Sequence, residues 1–469
     1  MQLSHTRKVV SATFGDPNLV SSAGLVPVMR IATDAGLTEL ARQHLSVPGD
    51  KGANAGLKVA SLVAGMVAGA DSIDDMAVLR HGGMGRVFAK VYAPSTLGSF
   101  LRAFTFGHVR QLDAVASRFL TRLAATTPLL GDPAGTDAAM VFVDVDDTII
   151  EVHGHAKQGA GFGYSGVRGL NALLATVSAS SFAPVIIAQR LRKGSTGSPR
   201  GAQRLVADAL ATISRTHLTG RHMLVRADSA FYGHATVSAA LKGGADVSIT
   251  ARMDPAVKRA IASIDDTAWT PIRYTNAILD EQTGAWVSTA EVAEIEFTAF
   301  SSRKKTEQVT GRLVVRRIPD LAPKAAPGQG TLFDHWRFHA FFTTTSTGVL
   351  DTVTADKTHR QHAVIEQANA DLKASALAHL PSGDFAANAA WLILAVIAFN
   401  LTRAAGTICG SQHARATTAT ARRRLINVAA RIASSARKLR LHLPTNWPWE
   451  DAWTRLFERA LGPPAAAPS

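Results

Sequence analysis

The chain has 469 residues, 46% of them hydrophobic and 18% charged. That excludes a disordered chain and leaves room for about two to four domains with ample core. A formal net charge of +14 points to a polyanionic partner, and the single cysteine, Cys409, excludes internal disulfides and a Cys-rich zinc site while fitting a reducing cytoplasm. The opening residues MQLSHTRKVV lack the charged-then-apolar pattern of a signal peptide, and residues 1 to about 18 read as a loose arm. Residues 24 to about 125 are helical in texture, with breaks at Pro48-Gly49, Gly82-Gly83 and Pro94. Lys58 to Ala68 reads as an apolar helix, and Ser72-Ile73-Asp74-Asp75 as the cap and first turn of another. Pro94 to Arg102 reads as a helix entry offering hydroxyls and an arginine. It suits a small DNA-binding region and a plain helical bundle equally well.

After a loop over Leu130–Asp137 comes the stretch MVFVDVDDTII, from Met140 to Ile150. Its β-branched run predicts a buried strand, and alternation sends Asp144 and Asp146 to one face and Asp147 to the other. Carboxylates there are costly unless they bind metal or line a cleft. Gly154 to Gly169, with Phe162 and Tyr164, reads as a hairpin or loop and not as a dinucleotide fingerprint. Leu170–Val177 and Pro184–Gln189 follow as strands, and Ser198–Ser214 as a helix with Pro199 in its first turn. His222–Ala227 is a second apolar strand ending in an acid, Asp228. Ala235–Lys242 is a helix, and Asp246–Ala251 another strand. Such alternation predicts an α/β domain with a central sheet.

From about Asp254 to Asp334 short alternating runs with Trp269, Tyr274, Trp286 and Phe297 predict a β-rich insertion, closed by a Pro/Ala/Gly loop over Pro319–Gly330. Arg337–Thr344 returns as a core strand. Ala355–Ala376 is expected to be one helix holding Glu366, and the apolar Ala389–Leu401 a buried helix too short to span a bilayer. Ala414–Leu443 reads as basic and helical, before a Pro/Ala-rich tail after Leu461. From Phe385 to Pro448 there is no acid, while Arg403, Arg415, Arg422, Arg423, Arg424, Arg431, Arg437, Lys438 and Arg440 all fall there.

Three acids carry the chemistry: Asp146, Asp228 and Glu366. Hard divalent cations take oxygen ligands, and two ions can activate a nucleophile and stabilise a leaving oxygen in phosphoryl transfer. An acidic metal site in a basic protein is the combination expected of an enzyme that cuts or joins nucleic acid.

On these motifs the chain resembles a DDE transposase of bacterial insertion sequences with a ribonuclease-H-like core, and more narrowly the thirteen-eighty family. Asp146-Asp147-Thr148 matches a strand ending in Asp-x-Thr, and Arg226 to Tyr232 a strand ending in Asp near aromatics. His359, His362, Glu366 and Lys373 stand at the spacing of the family's Tyr, Arg, Glu and Lys, with both leading residues replaced by His and with Arg360 adjacent. The resemblance implies a helical DNA-binding region over 1–135, a ribonuclease-H-like core over 136–255 and 336–405, a β-rich insertion over 256–335, and a basic helical region over 406–469. It implies Asp146, Asp228 and Glu366 as ligands of two Mg²⁺ (or Mn²⁺) ions, with Lys373, two helical turns after Glu366, gripping a phosphate. Asp144 would be supportive, and Asp147 the fallback for Asp146. Arg303, Lys304 and Lys305 with Trp286 in the insertion, and Arg422, Arg423 and Arg424 near the C-terminus, are the expected DNA contacts. The implied partners are double-stranded DNA at terminal inverted repeats, target DNA and a second copy in a homodimer, in the bacterial cytoplasm at the nucleoid, with no membrane.

Two alternatives stay open. Asp144-Val145-Asp146-Asp147-Thr148 also matches the DxDxT of haloacid-dehalogenase-type phosphatases, with Asp144 as nucleophile and Asp146 as general acid. The later acidic pair of that family has no counterpart, since Gly383-Asp384 is followed by Phe-Ala-Ala-Asn. A non-catalytic DNA-binding protein would explain the charge but not three ordered acids.

Overall fold

The computed structural model describes residues 4, 10–132, 140–154, 156–281, 284–319, 336–435 and 438–462. Parts of the expected arm, of the 130–137 and 319–330 loops, the tail after 462 and Arg437 fall outside them.

The organising element is β1, Val141–Glu151, an eleven-residue strand. Its apolar residues Val141, Val143 and Val145 are all within 1% of full burial, as expected of a central strand. It pairs antiparallel with β2, Arg168–Ala179, which pairs antiparallel with β3, Phe182–Lys193. On its other side β1 runs parallel to β4, Met223–Ala227, which runs parallel to β5, Asp246–Thr250. The order is therefore β3-β2-β1-β4-β5, a mixed sheet, with the crossover from β3 to β4 made through a helix, Ala202–Ile213.

The insertion begins with a helix, Pro255–Ala262, before its strands β6 (Thr270–Asp280), β7 (Ala285–Ala299) and β8 (Val309–Pro319). These do not form a detached module. Strand β9, Trp336–Thr343, pairs antiparallel with both β5 and β8, so the insertion extends the central sheet to ten strands, counting a two-residue strand at Gly161–Phe162. Cross-strand ion pairs tie it together: Arg312 to Glu294 at 2.6 Å and Arg317 to Glu291 at 2.5 Å, with the Arg317 guanidinium lying between the Trp269 and Trp336 rings.

The helical region before β1 comprises α1 (Leu25–Asp34), α2 (Leu37–His44), α3 (Ala55–Ala68), α4 (Pro94–Arg102) and α5 (Phe106–Thr126), with shorter turns between. In α4, Leu97, Phe100 and Leu101 face the core while Ser95 and Arg102 are exposed. A 24-residue helix, Phe385–Ile408, joins this region to the sheet. It packs on α3, α4, α5 and β3. By length and composition it could cross a membrane, but 89% of its apolar window is buried inside the protein. One continuous buried cluster runs from Val20 to Ala460.

Two asparagines in that helix show how a buried apolar rod is fixed in register. Asn388 brackets the peptide of Ser382, and Asn400 that of Ile186, each accepting from the N–H and donating to the C=O at 2.7–3.0 Å. Ile186 lies beside a register shift in the β2–β3 pairing, which frees its backbone groups for the amide.

Three expectations are corrected. The basic stretch 414–443 is largely not helical: after a four-residue turn of helix and a π-type turn at Arg422–Ile426, it forms a hairpin, Ala430–Ser435 with Lys438–His442. The alternation of Lys438-Leu439-Arg440-Leu441-His442 is a period-2 signal that the charge obscured. The helix expected from Ser198 starts only at Ala202, because the Arg192 guanidinium holds the carbonyls of Ser198 and Arg200, both at 2.7 Å, and keeps that segment as a turn. The single helix expected over 355–376 is two, Thr352–Arg360 and Val364–Lys373, with a 3₁₀ turn at Gln361–Ala363.

Replacing Asn400 by Ala leaves the Ile186 N–H and C=O buried without partners. Chemical denaturation should show a loss of about 1–3 kcal/mol, against little change for an exposed control such as Ser95→Ala.

Candidate active site

Three aspartates in four positions of β1 receive three different sets of partners. Asp144 is fully buried, and both its oxygens accept from Arg226 of β4, from Nε at 2.7 Å and Nη2 at 2.8 Å. Arg226 also donates to the Thr358 carbonyl and stacks on Phe142, 4.1 Å from the ring centre. Burial pushes the Asp144 carboxyl up to about 6 against the pull of that guanidinium, so it stays mainly ionised at neutral pH. Asp147, on the opposite face, is held by Arg192, by Asn171 Nδ2 at 2.7 Å and by Ser198 Oγ at 3.1 Å. Neither residue is free to act as a nucleophile, which removes the geometric basis of the phosphatase alternative.

Asp146 is different. Its one direct side-chain partner among the described residues is Asn369, whose Nδ2 donates to Oδ2 at 2.8 Å. Burial, then the negative charges of Asp147, Asp228 and Glu366, push its carboxyl up to about 7. Asp228 follows directly after β4 and caps a 3₁₀ turn, Ser229–Phe231, accepting from the Ala230 N–H at 2.9 Å. Burial raises its carboxyl too, with Asp147 adding to the rise and Arg252 opposing it. Glu366 stands exposed in the first turn of the Val364–Lys373 helix, near enough for its charge to act on Asp146.

The structure thus brings the three predicted acids into one electrostatic neighbourhood. It does not draw them into a tight cage: among the described residues, no three His, Cys, Asp or Glu side chains are set to hold one ion. The oxygen donors nonetheless suit a hard divalent cation such as Mg²⁺, which commonly takes only one or two carboxylates plus water and substrate phosphate. The buried Asn369 Oδ1, without a hydrogen-bond partner among the described residues, adds a further oxygen facing no protein donor.

Lys373 ends the Glu366 helix and is exposed. It lines a cleft of about 380 Å³ with Thr148, Glu151, Tyr164 and Leu377. Burial and the charges of Asp147, Asp146 and Asp228 raise the Tyr164 phenol, which places this ring beside the acids. Close packing demands glycine at the edge of the 154–169 stretch: a Cβ on Gly194 would lie 2.0 Å from the Gly169 carbonyl oxygen and 2.4 Å from that of Gly161, and one on Gly169 would lie 2.3 Å from the Ile150 carbonyl oxygen.

The two histidines of the motif lie beside each other, ring centres 6.2 Å apart, with His359 against β5 and β9. His359 is stacked on Phe341 at 4.1 Å and bonded to Ser248 Oγ and Thr250 Oγ1 at 2.9 and 3.0 Å. Burial, then His362 and Arg226, drive it down to about 3. His362 falls to about 4 through burial and Arg226. Both are neutral at physiological pH. Arg360 turns to Asp356 at 2.9 Å and lies over Tyr274.

Of the expected DNA contacts, Arg303, Lys304, Lys305, Trp286 and Arg423 are exposed. Arg422 and Arg424 are half-buried, the first against Gly69 and the second over Trp449. Sequence reasoning missed Asn369, Arg192 and Arg252. Asn369 was within reach, since it follows Glu366 by three positions on the same helical face.

Over residues 2–461 the chain matches the family model described as Transposase DDE domain group 1, and it belongs to that family. It is thus a transposase of the DDE type. A comparison with curated proteins finds no match.

A folded-state carboxyl raised from 3.8 to about 7 is a penalty on ionisation. Stability from the neutral form is present below pH 4 and lost as pH rises through 7. In EDTA, Asp146→Asn should therefore be more stable than the parent at pH 8, by on the order of 1–3 kcal/mol, and equal to it near pH 4. Thermal melts at the two pH values check this.

Proposed function

We propose that this transposase cuts and joins transposon ends through a site built on Asp146, Asp228 and Glu366. The observation that carries the reading is the placement of Asp146, half-buried on β1 and bonded to Asn369, with Asp228 and Glu366 near enough for their charges to act on it, an arrangement in which a bound cation replaces an unfavourable field. Asp146 and Asp228 would hold the ion, with Glu366 completing the set. Mg²⁺, as two ions, would supply the positive charge that activates water and steadies the leaving oxygen. The reaction is hydrolysis at the element's end, followed by attack of the freed 3′-hydroxyl on a second phosphodiester. Lys373 grips a phosphate from the cleft beside Thr148 and Tyr164, and Asp144 supports the strand through Arg226.

The sheet order β3-β2-β1-β4-β5, antiparallel then parallel, supports a ribonuclease-H-like core. The long insertion before Glu366 supports kinship with the thirteen-eighty insertion sequences. We retain the regional division at 135, 255, 335 and 405, as regions sharing one core. The partners proposed are terminal-repeat and target DNA and a second copy of the chain, at the bacterial nucleoid. Arg303, Lys304, Lys305 and Arg423 are the exposed cations for the phosphate backbone, with Arg422 and Arg424 contributing from their packed positions.

A labelled duplex carrying the element's end should be nicked with Mg²⁺ and left intact in EDTA. Asp146→Asn, Asp228→Asn and Glu366→Gln should each lower nicking by on the order of 100–1,000-fold or more. Undiminished nicking by folded Asp228→Asn and Glu366→Gln overturns the assignment. Arg423→Ala should weaken binding to all duplexes alike and lower the slope of log K against log salt by about 0.9, as for one lost phosphate contact.

A further inference from the structure

Asn369 is 5% exposed, and a buried amide is retained at a cost unless its groups are satisfied. Half of it is: Nδ2 donates to Asp146 Oδ2 at 2.8 Å. That bond also fixes which way the amide points, since the reverse orientation would set Oδ1 against a carboxylate oxygen. The other half is not: Oδ1 is buried and meets no donor among the described residues. Among the buried side-chain atoms without a partner in the described residues, this acceptor is set apart by its place: its own amide nitrogen already holds Asp146, so an arriving donor would sit beside that carboxylate. Asn369 also shares a helical stripe with Glu366 and Lys373, at positions i+3, i and i+7, so it faces the space the acids share.

We propose that Asn369 is a positioning residue of the metal site: its Nδ2 holds the Asp146 carboxylate in one orientation, and its Oδ1 accepts a hydrogen bond from water carried by a divalent cation. This rests on Asp146 as an ion ligand. The amide couples the helix of Glu366 directly to β1, so one contact sets both the orientation of the first acid and the distance of the third. Groups that orient a ligand in this way typically contribute about 10–100-fold to metal affinity.

The test uses the full chain without DNA and Mn²⁺ as the probe, with free ion read by electron paramagnetic resonance. Parent, Asn369→Leu, Asn369→Ala and Asp146→Asn are compared, and thermal melts in EDTA establish that each is folded. Asn369→Leu keeps the volume and removes the unsatisfied acceptor, so its melting temperature should not fall greatly. Both Asn369 variants should bind Mn²⁺ about 10–100-fold more weakly than the parent. Parent-like affinity in either folded variant, with binding still lost in Asp146→Asn, overturns the role of Asn369 alone. Binding that Asp146→Asn does not alter overturns the metal-site reading beneath it. Affinity that drops only in proportion to a collapsed melting temperature, in both variants, assigns Asn369 a structural role and also overturns the proposal.

Discussion

Everything in this molecule answers to the cost of placing carboxylates on a central strand. β1 is buried between neighbours on both edges, yet carries Asp144, Asp146 and Asp147. Two are neutralised by buried guanidinium groups, Arg226 from the adjacent β4 and Arg192 from β3, one strand beyond β2. Each guanidinium then does a second job, Arg226 on the Thr358 carbonyl and Arg192 on the turn before the crossover helix. Removing either acid would strand a buried cation, a loss on the order of 3–5 kcal/mol. The third acid receives a side-chain amide and a backbone N–H but no cation among the described residues, and burial with the neighbouring acids still raises it. The strand thus separates two ion-paired carboxylates from one without a cationic partner among the described residues.

The same economy explains the histidines. A cation at the place of His359 or His362 would face Arg226 in a dry interior, and both rings are held neutral. His359 spends its two nitrogens on Ser248 and Thr250 of β5, which pins the helix carrying it to the sheet. The buried guanidinium that faces these rings comes from β4.

How much of this was legible in the sequence depends on the range of the physics involved. Strand β1 and the acid after β4 are local patterns, an apolar run with a carboxylate at its end, and the alternation of Asp146 and Asp147 follows from backbone geometry alone. Glu366 has no such local mark; only its spacing within a motif singled it out. The Asn369–Asp146 bond joins residues far apart in the chain, and no periodicity announces it. The hairpin at 430–442 was legible, but its basic residues drew attention to charge instead of alternation. The joining of the insertion to the core by β9 depends on which edge of β5 stands open, a property of the assembled sheet.

The strand at Leu19–Val20 pairs with Ala430–Ser435, and Gly24 packs so closely against Leu425 and Ile426 that a Cβ there would lie 1.9 Å from the Leu425 carbonyl oxygen. The first helices are therefore closed by segments near the other end of the chain. During synthesis the N-terminal helices must wait, with part of their apolar surface uncovered, until residues beyond 425 emerge. A ribosome stalled in the insertion would hold a chain with two acids in place and neither the third nor its closing hairpin. Such a fragment also lacks β9, the strand that joins the insertion to β5, so its central sheet stays open at that edge until translation resumes.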